Sequence, residues 1–276
     1  MLMGTVRKFT VILLGLLMGL GAVILPAQTA PTAFTVRDTD DMLQSINLTT
    51  LAVTNVGPLG INYSFGDITW DPVTSTLFVV DGRGSNSLFR YNPASGTAIL
   101  LGTHGIPDLF GLAYDTANNT LYGATFSGTL ALYTLNQTTG VATLVGNTGV
   151  SIGGLAYDSV HNILIGINDG SGNLFQISTA TGAATLLASP GGTNNSGITF
   201  DPLNNRLLDF DFSGNLFSYD IANNYTRTTL LSGQGAHDGI AFVTSAIPEP
   251  ATYVEFAVGL LALILLARCR RMGCSS

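Results

Sequence analysis

Cysteine is nearly absent from this chain, and glutamate and lysine are missing from most of it. The two cysteines, Cys269 and Cys274, lie close to the C-terminus, so residues 31–247 can form neither a disulfide nor a thiolate metal site. In the same stretch five arginines stand against fifteen aspartates, a net charge of −10. Such an acidic body argues against nucleic acid as a partner, whereas cations, neutral polysaccharide or a basic protein patch are compatible with it.

Common catalytic motifs are also missing. The sequence contains no Gly-x-Ser-x-Gly elbow, no His-Glu-x-x-His and no phosphate-binding loop. Gly82-Arg83-Gly84 and Asp169-Gly170-Ser171-Gly172 are interpreted as hairpin turns rather than nucleotide cradles. The sequence therefore favours no particular reaction.

What the chain does contain is a repeat. Its opening motif ends in an aspartate at positions 71, 115, 158 and 201, at steps of 44, 43 and 43 residues. The four copies are Asp67-Ile68-Thr69-Trp70-Asp71, Gly111-Leu112-Ala113-Tyr114-Asp115, Gly154-Leu155-Ala156-Tyr157-Asp158 and Gly197-Ile198-Thr199-Phe200-Asp201. A fixed period of this size without helical periodicity indicates a repeat architecture of small sheets.

Each repeat predicts four short strands separated by turns. In the second repeat the β-rich runs are 112–114, 120–124, 129–135 and 142–145. Asp, Asn and Pro mark the turn after the first run, and Gly marks the later turns. Four antiparallel strands in about 43 residues match one blade of a β-propeller. The aromatic residues that recur before the closing aspartates are expected in the core.

The two ends of the repeat region complement each other. Residues 238–243 repeat only the first strand, and residues 34–37, 42–47 and 52–56 match only the second, third and fourth strands. We therefore expect an all-β, five-bladed propeller over residues 31–245, with one composite blade that closes the ring and leaves no free sheet edge.

The repeated sequence motif resembles that of the YVTN/NHL/PQQ-like propeller class over roughly residues 34–243. This resemblance implies the fold but not the function, because the class includes lyases, lactonases, dehydrogenases and binding modules.

Both termini carry apolar segments. Arg7 and Lys8 precede an apolar run at 11–25 and small residues at 26–30, which predicts a signal peptide over residues 1–30, with an uncleaved anchor as the alternative. The apolar segment 251–267 would span roughly 25 Å as a helix, slightly less than a bilayer core of about 30 Å. It predicts a transmembrane helix. The basic tail that follows would be cytoplasmic, and it consists of Arg268, Arg270 and Arg271.

The C-terminal segment 246–276 resembles the PEP-CTERM sorting signal of Gram-negative bacteria, because Pro248-Glu249-Pro250, the apolar helix and the arginines occur in that order. The resemblance implies an exosortase as partner, an inner-membrane anchor before cleavage near this motif, and release to the cell surface or extracellular matrix. It also implies an association with exopolysaccharide. The nearby cysteines depart from the usual all-basic ending, and an ordinary single-pass anchor is the alternative.

Propeller topology places several polar side chains just before first strands, around the mouth of the axis. They are Asp67, His104, Asp108, His237 and Asp238. Carboxylates there could bind Ca²⁺, and carboxylates with histidine could bind a transition metal. The alternative is that they cap turns or face solvent and that the protein has no cofactor. Tyr63, Phe65 and Phe110 are expected either in the core or at the mouth, where a sugar ring could stack.

The functional prediction is thus an exported cell-surface protein whose propeller is a binding or structural module and not an enzyme. The alternative is a metal-dependent lyase or hydrolase with its site at the channel mouth.

Overall fold

The computed structural model describes residues 30–192 and 195–243, and this part of the chain forms twenty strands in five antiparallel sheets of four. Blade 1 consists of β1 (Thr32–Arg37), β2 (Met42–Asn47), β3 (Val53–Pro58) and β20 (His237–Val243). Blade 2 consists of β4 (Gly66–Asp71), β5 (Thr76–Asp81), β6 (Ser87–Asn92) and β7 (Thr97–Thr103). Blade 3 consists of β8 (Leu109–Asp115), β9 (Thr120–Thr125), β10 (Ala131–Leu135) and β11 (Ala142–Asn147). Blade 4 consists of β12 (Gly154–Asp158), β13 (Ile163–Ile167), β14 (Leu174–Ile177) and β15 (Ala184–Ala188). Blade 5 consists of β16 (Asn195–Asp201), β17 (Arg206–Asp211), β18 (Leu216–Asp220) and β19 (Thr226–Leu231).

The predicted five-bladed propeller is confirmed, including the composite blade. Blade 1 has the strand order β20-β1-β2-β3, so the last strand of the repeat region pairs with the first. The innermost strands β4, β8, β12, β16 and β20 each contact the next one around the axis. The ring is therefore closed by backbone hydrogen bonds between distant parts of the sequence.

Hydrophobic side chains fill each of the five interfaces between neighbouring blades. Five separate core clusters occur in the described residues, one for each pair of adjacent blades. Every residue of β8 and β20 is buried, whereas the outermost strands β7 and β3 contain only exposed and half-buried residues. Burial therefore falls from the axis outward, which explains why the first strand of each repeat is apolar on both faces.

The aspartates that end the first strands close the following turns, as predicted. Asp115 Oδ1 accepts hydrogen bonds from the backbone N–H groups of Ala117 at 2.9 Å and Asn118 at 3.0 Å. Its Oδ2 accepts a bond from Asn118 Nδ2 at 2.8 Å. The same pattern recurs at Asp71, Asp158 and Asp201. These carboxylates fix the backbone of each turn and hold the register of the first hairpin.

The predicted terminal segments lie outside the described residues, apart from Ala30. This applies to the signal peptide, to the transmembrane helix 251–267, to the Pro248-Glu249-Pro250 motif and to the basic tail. Within the part of the chain that the structure describes, no helix is long and apolar enough to cross a membrane.

Candidate functional site

Asp67 occupies the propeller axis itself. Its carboxylate is fully buried, and Oδ1 accepts the Ile68 N–H at 2.8 Å while Oδ2 accepts the Leu112 N–H at 2.9 Å. The backbone N–H groups of Leu155 and Ile240 are further donors to it. One side chain therefore binds N–H groups from four different blades. Burial raises the pKa of Asp67 well above its usual range, and these backbone donors oppose the rise.

The other four blades carry glycine where blade 2 carries Asp67. A Cβ atom on Gly197 would lie 3.0 Å from Asp67 Oδ1 and 2.5 Å from the Cα of Gly239. A Cβ atom on Gly239 would lie 2.7 Å from the same oxygen. The axis thus has room for the Asp67 carboxylate but not for a second side chain at any of the four equivalent positions. The equivalent glycines are Gly111, Gly154, Gly197 and Gly239.

The two histidines predicted at the mouth are held by other contacts. His104 is buried, its Nδ1 accepts the Ile106 N–H at 3.1 Å, and burial lowers its pKa to about 4. His237 is also buried, with Nε2 at 2.7 Å from Gln44 Oε1, and burial lowers its pKa. Both histidines therefore favour the neutral form and already contact protein groups.

Asp108 and Asp238 lie in different surroundings. Asp108 Oδ1 accepts a hydrogen bond from Arg83 Nε at 2.7 Å, and Oδ2 accepts one from Ser127. Burial raises the pKa of Asp108, but the two donors outweigh burial, so the pKa of Asp108 lies below its usual value. Asp238 is 1% exposed, and its Oδ2 has no hydrogen-bond partner. Burial raises the pKa of Asp238 well above its usual range, and the nearby Asp38 carboxyl adds to this rise.

Asp67, His104, Asp108 and His237 thus have separate partners, whereas Asp238 lies close enough to Asp67 for that carboxyl to raise its pKa. Over residues 30–192 and 195–243 no group of three or more His, Cys, Asp or Glu side chains is arranged to hold a metal ion. The metal site stays a prediction without a supporting cluster in this region.

A cavity of about 100 Å³ opens at the end of the axis where the first strands begin. The residue before the axial position lines it in every blade, and these residues are Gly66, Phe110, Gly153, Ser196 and Asp238. Bulges leave Phe110 in β8 and Ser196 in β16 without a direct partner across the strand pair. A third bulge leaves Gly239 in β20 without a partner, and such bulges redirect the side chains of the inner strands.

Four phenylalanine rings form one part of the cavity wall. Phe65 lies 5.8 Å from Phe110 and 5.5 Å from Phe212, and Phe110 stacks on Phe126 at 5.1 Å between ring centroids. The guanidinium carbon of Arg83 lies 4.7 Å from the centre of the Phe65 ring and 4.8 Å from that of Phe110. The rings therefore form a continuous aromatic surface that already contacts one cation.

Oxygen atoms form the other part of the wall. Asp169, Asn195 and Asp238 line the cavity, and each has one buried side-chain oxygen without a hydrogen-bond partner. Burial raises the pKa of Asp169, and the Asn195 N–H donates to it and opposes the rise. Because buried acceptors normally have partners, these oxygens suggest the place of a ligand or water that donates hydrogen bonds.

Sequence reasoning found only part of this wall. Phe65 and Phe110 line the cavity, whereas Tyr63 packs in the core between blades 1 and 2. Phe126 and Phe212 were missed, although Phe-Ser-Gly follows the second strand in both blades 3 and 5. That repeated tripeptide was the available signal.

The aromatic residues before the closing aspartates are mostly buried, as expected, and line a second cavity of about 80 Å³ on the opposite face.

The comparisons support the fold. No family model matches the chain, and no curated protein sequence is significantly similar to it. A chain in the crystal structure of a nidogen–laminin complex is similar in structure, with a TM-score of 0.54 and 15% identity over 78% of this chain and 82% of that one. A structural-genomics protein of unknown function from Bacteroides thetaiotaomicron VPI-5482 has a TM-score of 0.57 and 16% identity over 76% of this chain and 61% of that one. At such identities the likeness shows the β-propeller fold alone.

Proposed function

We propose that this chain is an exported, exosortase-sorted propeller of the YVTN/NHL/PQQ-like class that binds polysaccharide at the cell surface. The observation that carries the binding role is the cavity at the axis mouth, with aromatic rings on one side and unpartnered oxygens on the other. Sugar rings stack their C–H faces on aromatic side chains, and their hydroxyl groups donate to carboxylate and amide oxygens. Both kinds of group are present in this wall.

The position of Asp67 supports binding at a closed end rather than passage through a channel. Its carboxylate fills the axis next to the cavity and is fixed by backbone donors from four blades. A ligand that enters the mouth would therefore meet a rigid floor.

The alternative of a metal-dependent lyase or hydrolase has no supporting cluster in the described residues, where no three of the candidate ligands converge on one point. A propeller of similar fold occurs in the nidogen–laminin complex, which is consistent with a binding role. We therefore favour a binding role over a catalytic role.

The sorting proposal rests on the order of Pro248-Glu249-Pro250, the apolar segment 251–267 and the basic tail. The test is to express the full chain in a host with an exosortase and in the same host without it. Mass spectrometry of the mature protein should show loss of the C-terminal segment only when the exosortase is present. The variant P248A/E249A/P250A should keep the segment and stay in the membrane fraction in both hosts. An identical mature mass under all conditions would contradict the proposal.

Binding is tested by retention of the purified chain on immobilised cell-surface polysaccharide. The variant Phe212→Ala should reduce retention by removing part of the aromatic wall. Phe217→Ala is the control, because this ring lies in the core cluster between blades 4 and 5 and does not line the cavity. Equal retention of Phe212→Ala and the parent would argue against this binding site.

A further inference from the structure

The charges around the mouth cavity do not balance. Arg83 is the one cationic side chain in the described lining of the cavity, and its Nε is paired with Asp108 at 2.7 Å. Two other acidic side chains, Asp169 and Asp238, line the cavity, and Asp38 lies close enough to Asp238 to raise its pKa. The wall therefore carries acidic groups without a matching cation.

From this wall we infer that the ligand group that enters the cavity is a protonated primary amine. This inference rests on the proposed polysaccharide binding and makes it more specific, because it identifies the sugar as an amino sugar with a free amine.

The unpartnered carboxyl oxygens in the cavity wall support an ammonium group as ligand. Asp238 is 1% exposed, lines the cavity and has an unpartnered Oδ2, and the half-buried Asp169 has an unpartnered Oδ1. Burial raises the pKa of both carboxyl groups, and a cation in the cavity would oppose this rise and favour their ionised form. An ionised carboxylate only accepts hydrogen bonds, so its complement is a group that carries several donors and a positive charge. An ammonium group has three N–H donors and no acceptor, which fits this requirement.

The aromatic wall also favours a cation. The faces of aromatic rings carry partial negative charge, and a cation within about 6 Å of the ring centre is attracted to them. The Arg83 guanidinium already lies at 4.7 Å and 4.8 Å from two rings of this wall. Phe126 and Phe212 line the same cavity without a described cation against them.

The size and composition of the cavity argue against two other ligands. Ca²⁺ takes 6–8 oxygen ligands, whereas much of this wall consists of phenyl rings. The volume of about 100 Å³ is smaller than an apolar cavity of about 150 Å³ that holds benzene. A whole sugar ring is therefore not enclosed, and only the edge that carries the amine enters.

The experiment compares ligands that differ at one substituent. The full chain, purified in detergent, is titrated by calorimetry with glucosamine, glucose and N-acetylglucosamine at a pH where the amine is protonated. We expect glucosamine to bind at least about tenfold more tightly than the other two, because a charged hydrogen-bonding group gains more than a neutral one. Butylammonium and Ca²⁺ are titrated in parallel.

The variants Asp169→Asn and Asp238→Asn should each weaken glucosamine binding by about tenfold or more. Asp220→Asn is the matched control, since this exposed aspartate accepts the Ala222 N–H at the end of β18, away from the cavity. If Asp238→Asn fails to fold by circular dichroism, the half-buried Asp169→Asn decides the result.

The outcomes separate the amine from the sugar. Equal binding of glucose and glucosamine would overturn the amine inference and leave polysaccharide binding intact. Strong binding of butylammonium without any gain from the sugar ring would support the amine and contradict the polysaccharide proposal. Binding of Ca²⁺ that is lost in Asp238→Asn, with no binding of either amine, would overturn the inference in favour of the predicted metal site.

Discussion

At the scale of single residues, the buried aspartates set both stability and its pH dependence. Asp67 shows how much one side chain can hold together, because its two oxygens accept backbone bonds from blades 2 and 3 and further donors come from blades 4 and 1. A carboxylate can accept all of these bonds, whereas an amide replaces one acceptor oxygen with a donor.

We therefore expect Asp67→Asn to lower the free energy of unfolding by roughly 1–3 kcal/mol or more, since at least one buried N–H loses its acceptor. Urea denaturation followed by circular dichroism measures this change, with Asp220→Asn as control. A loss below about 0.5 kcal/mol would show that the axis does not depend on this carboxylate.

Asp209 gives a pH prediction. It is fully buried, Tyr219 donates to Oδ2 at 2.8 Å, and burial raises the pKa of Asp209 to about 8. The native state therefore holds a proton that the unfolded state releases above its usual pKa of 3.8. Stability from this group is present at low pH and is lost as the pH rises from about 4 to about 8, by at most roughly 1.4 kcal/mol for each pH unit.

Asp209→Asn should remove this part of the dependence, because the amide does not titrate. Other buried aspartates titrate in both proteins, so the difference between the two stability profiles isolates Asp209. Parallel profiles from pH 4 to pH 8 would contradict the raised pKa.

At the scale of elements, the first hairpin of each repeat depends on one turn. The residue before the second strand has positive φ in four blades: 54° at Ser75, 52° at Asn119, 58° at Asn162 and 48° at Asn205. Asparagine tolerates this left-handed conformation better than serine does. Blade 2 is thus the copy with the least suitable residue.

Ser75→Asn should raise the free energy of unfolding by roughly 0.5 kcal/mol, as expected for a better turn residue. Ser159→Asn is a control in the corresponding turn of blade 4, where residue 159 does not have positive φ. Thermal melts of both variants test this, and equal effects would show that backbone conformation is not the cause.

At the scale of the whole molecule, β20 closes the ring. It pairs with β1, contacts β4 and β16, and is buried along its whole length. Without it, the clusters between blades 5 and 1 and between blades 1 and 2 lose residues from β20, and β1 becomes a free edge.

A chain that ends at residue 235 should therefore lose cooperative thermal unfolding and should aggregate, whereas a chain that ends at residue 245 should unfold in a single transition. Differential scanning calorimetry with size-exclusion chromatography tests this. A monomeric, cooperatively folded chain ending at 235 would mean that closure by β20 is dispensable.

The sequence by itself determined the blade. The 43-residue period, the turn aspartates and the complementary chain ends are local or repeating signals, so they predicted five blades, the composite blade and the role of Asp115 and its equivalents. Hydrophobic and turn patterns report the register within one sheet, which is why these predictions are confirmed.

Only the tertiary structure decided what meets at the axis. Asp67 was predicted at the mouth as a metal ligand, but the structure places its carboxylate among backbone donors of four blades. Phe126 and Phe212, 86 residues apart in the sequence, line one cavity with Asp238. These contacts join different blades across the axis, and a repeat pattern carries no information on such distances or on the bulges that turn Phe110 and Ser196 out of register. The cavity forms only when the ring closes, whereas the sequence pattern predicts the individual blades and not how their residues meet at the axis.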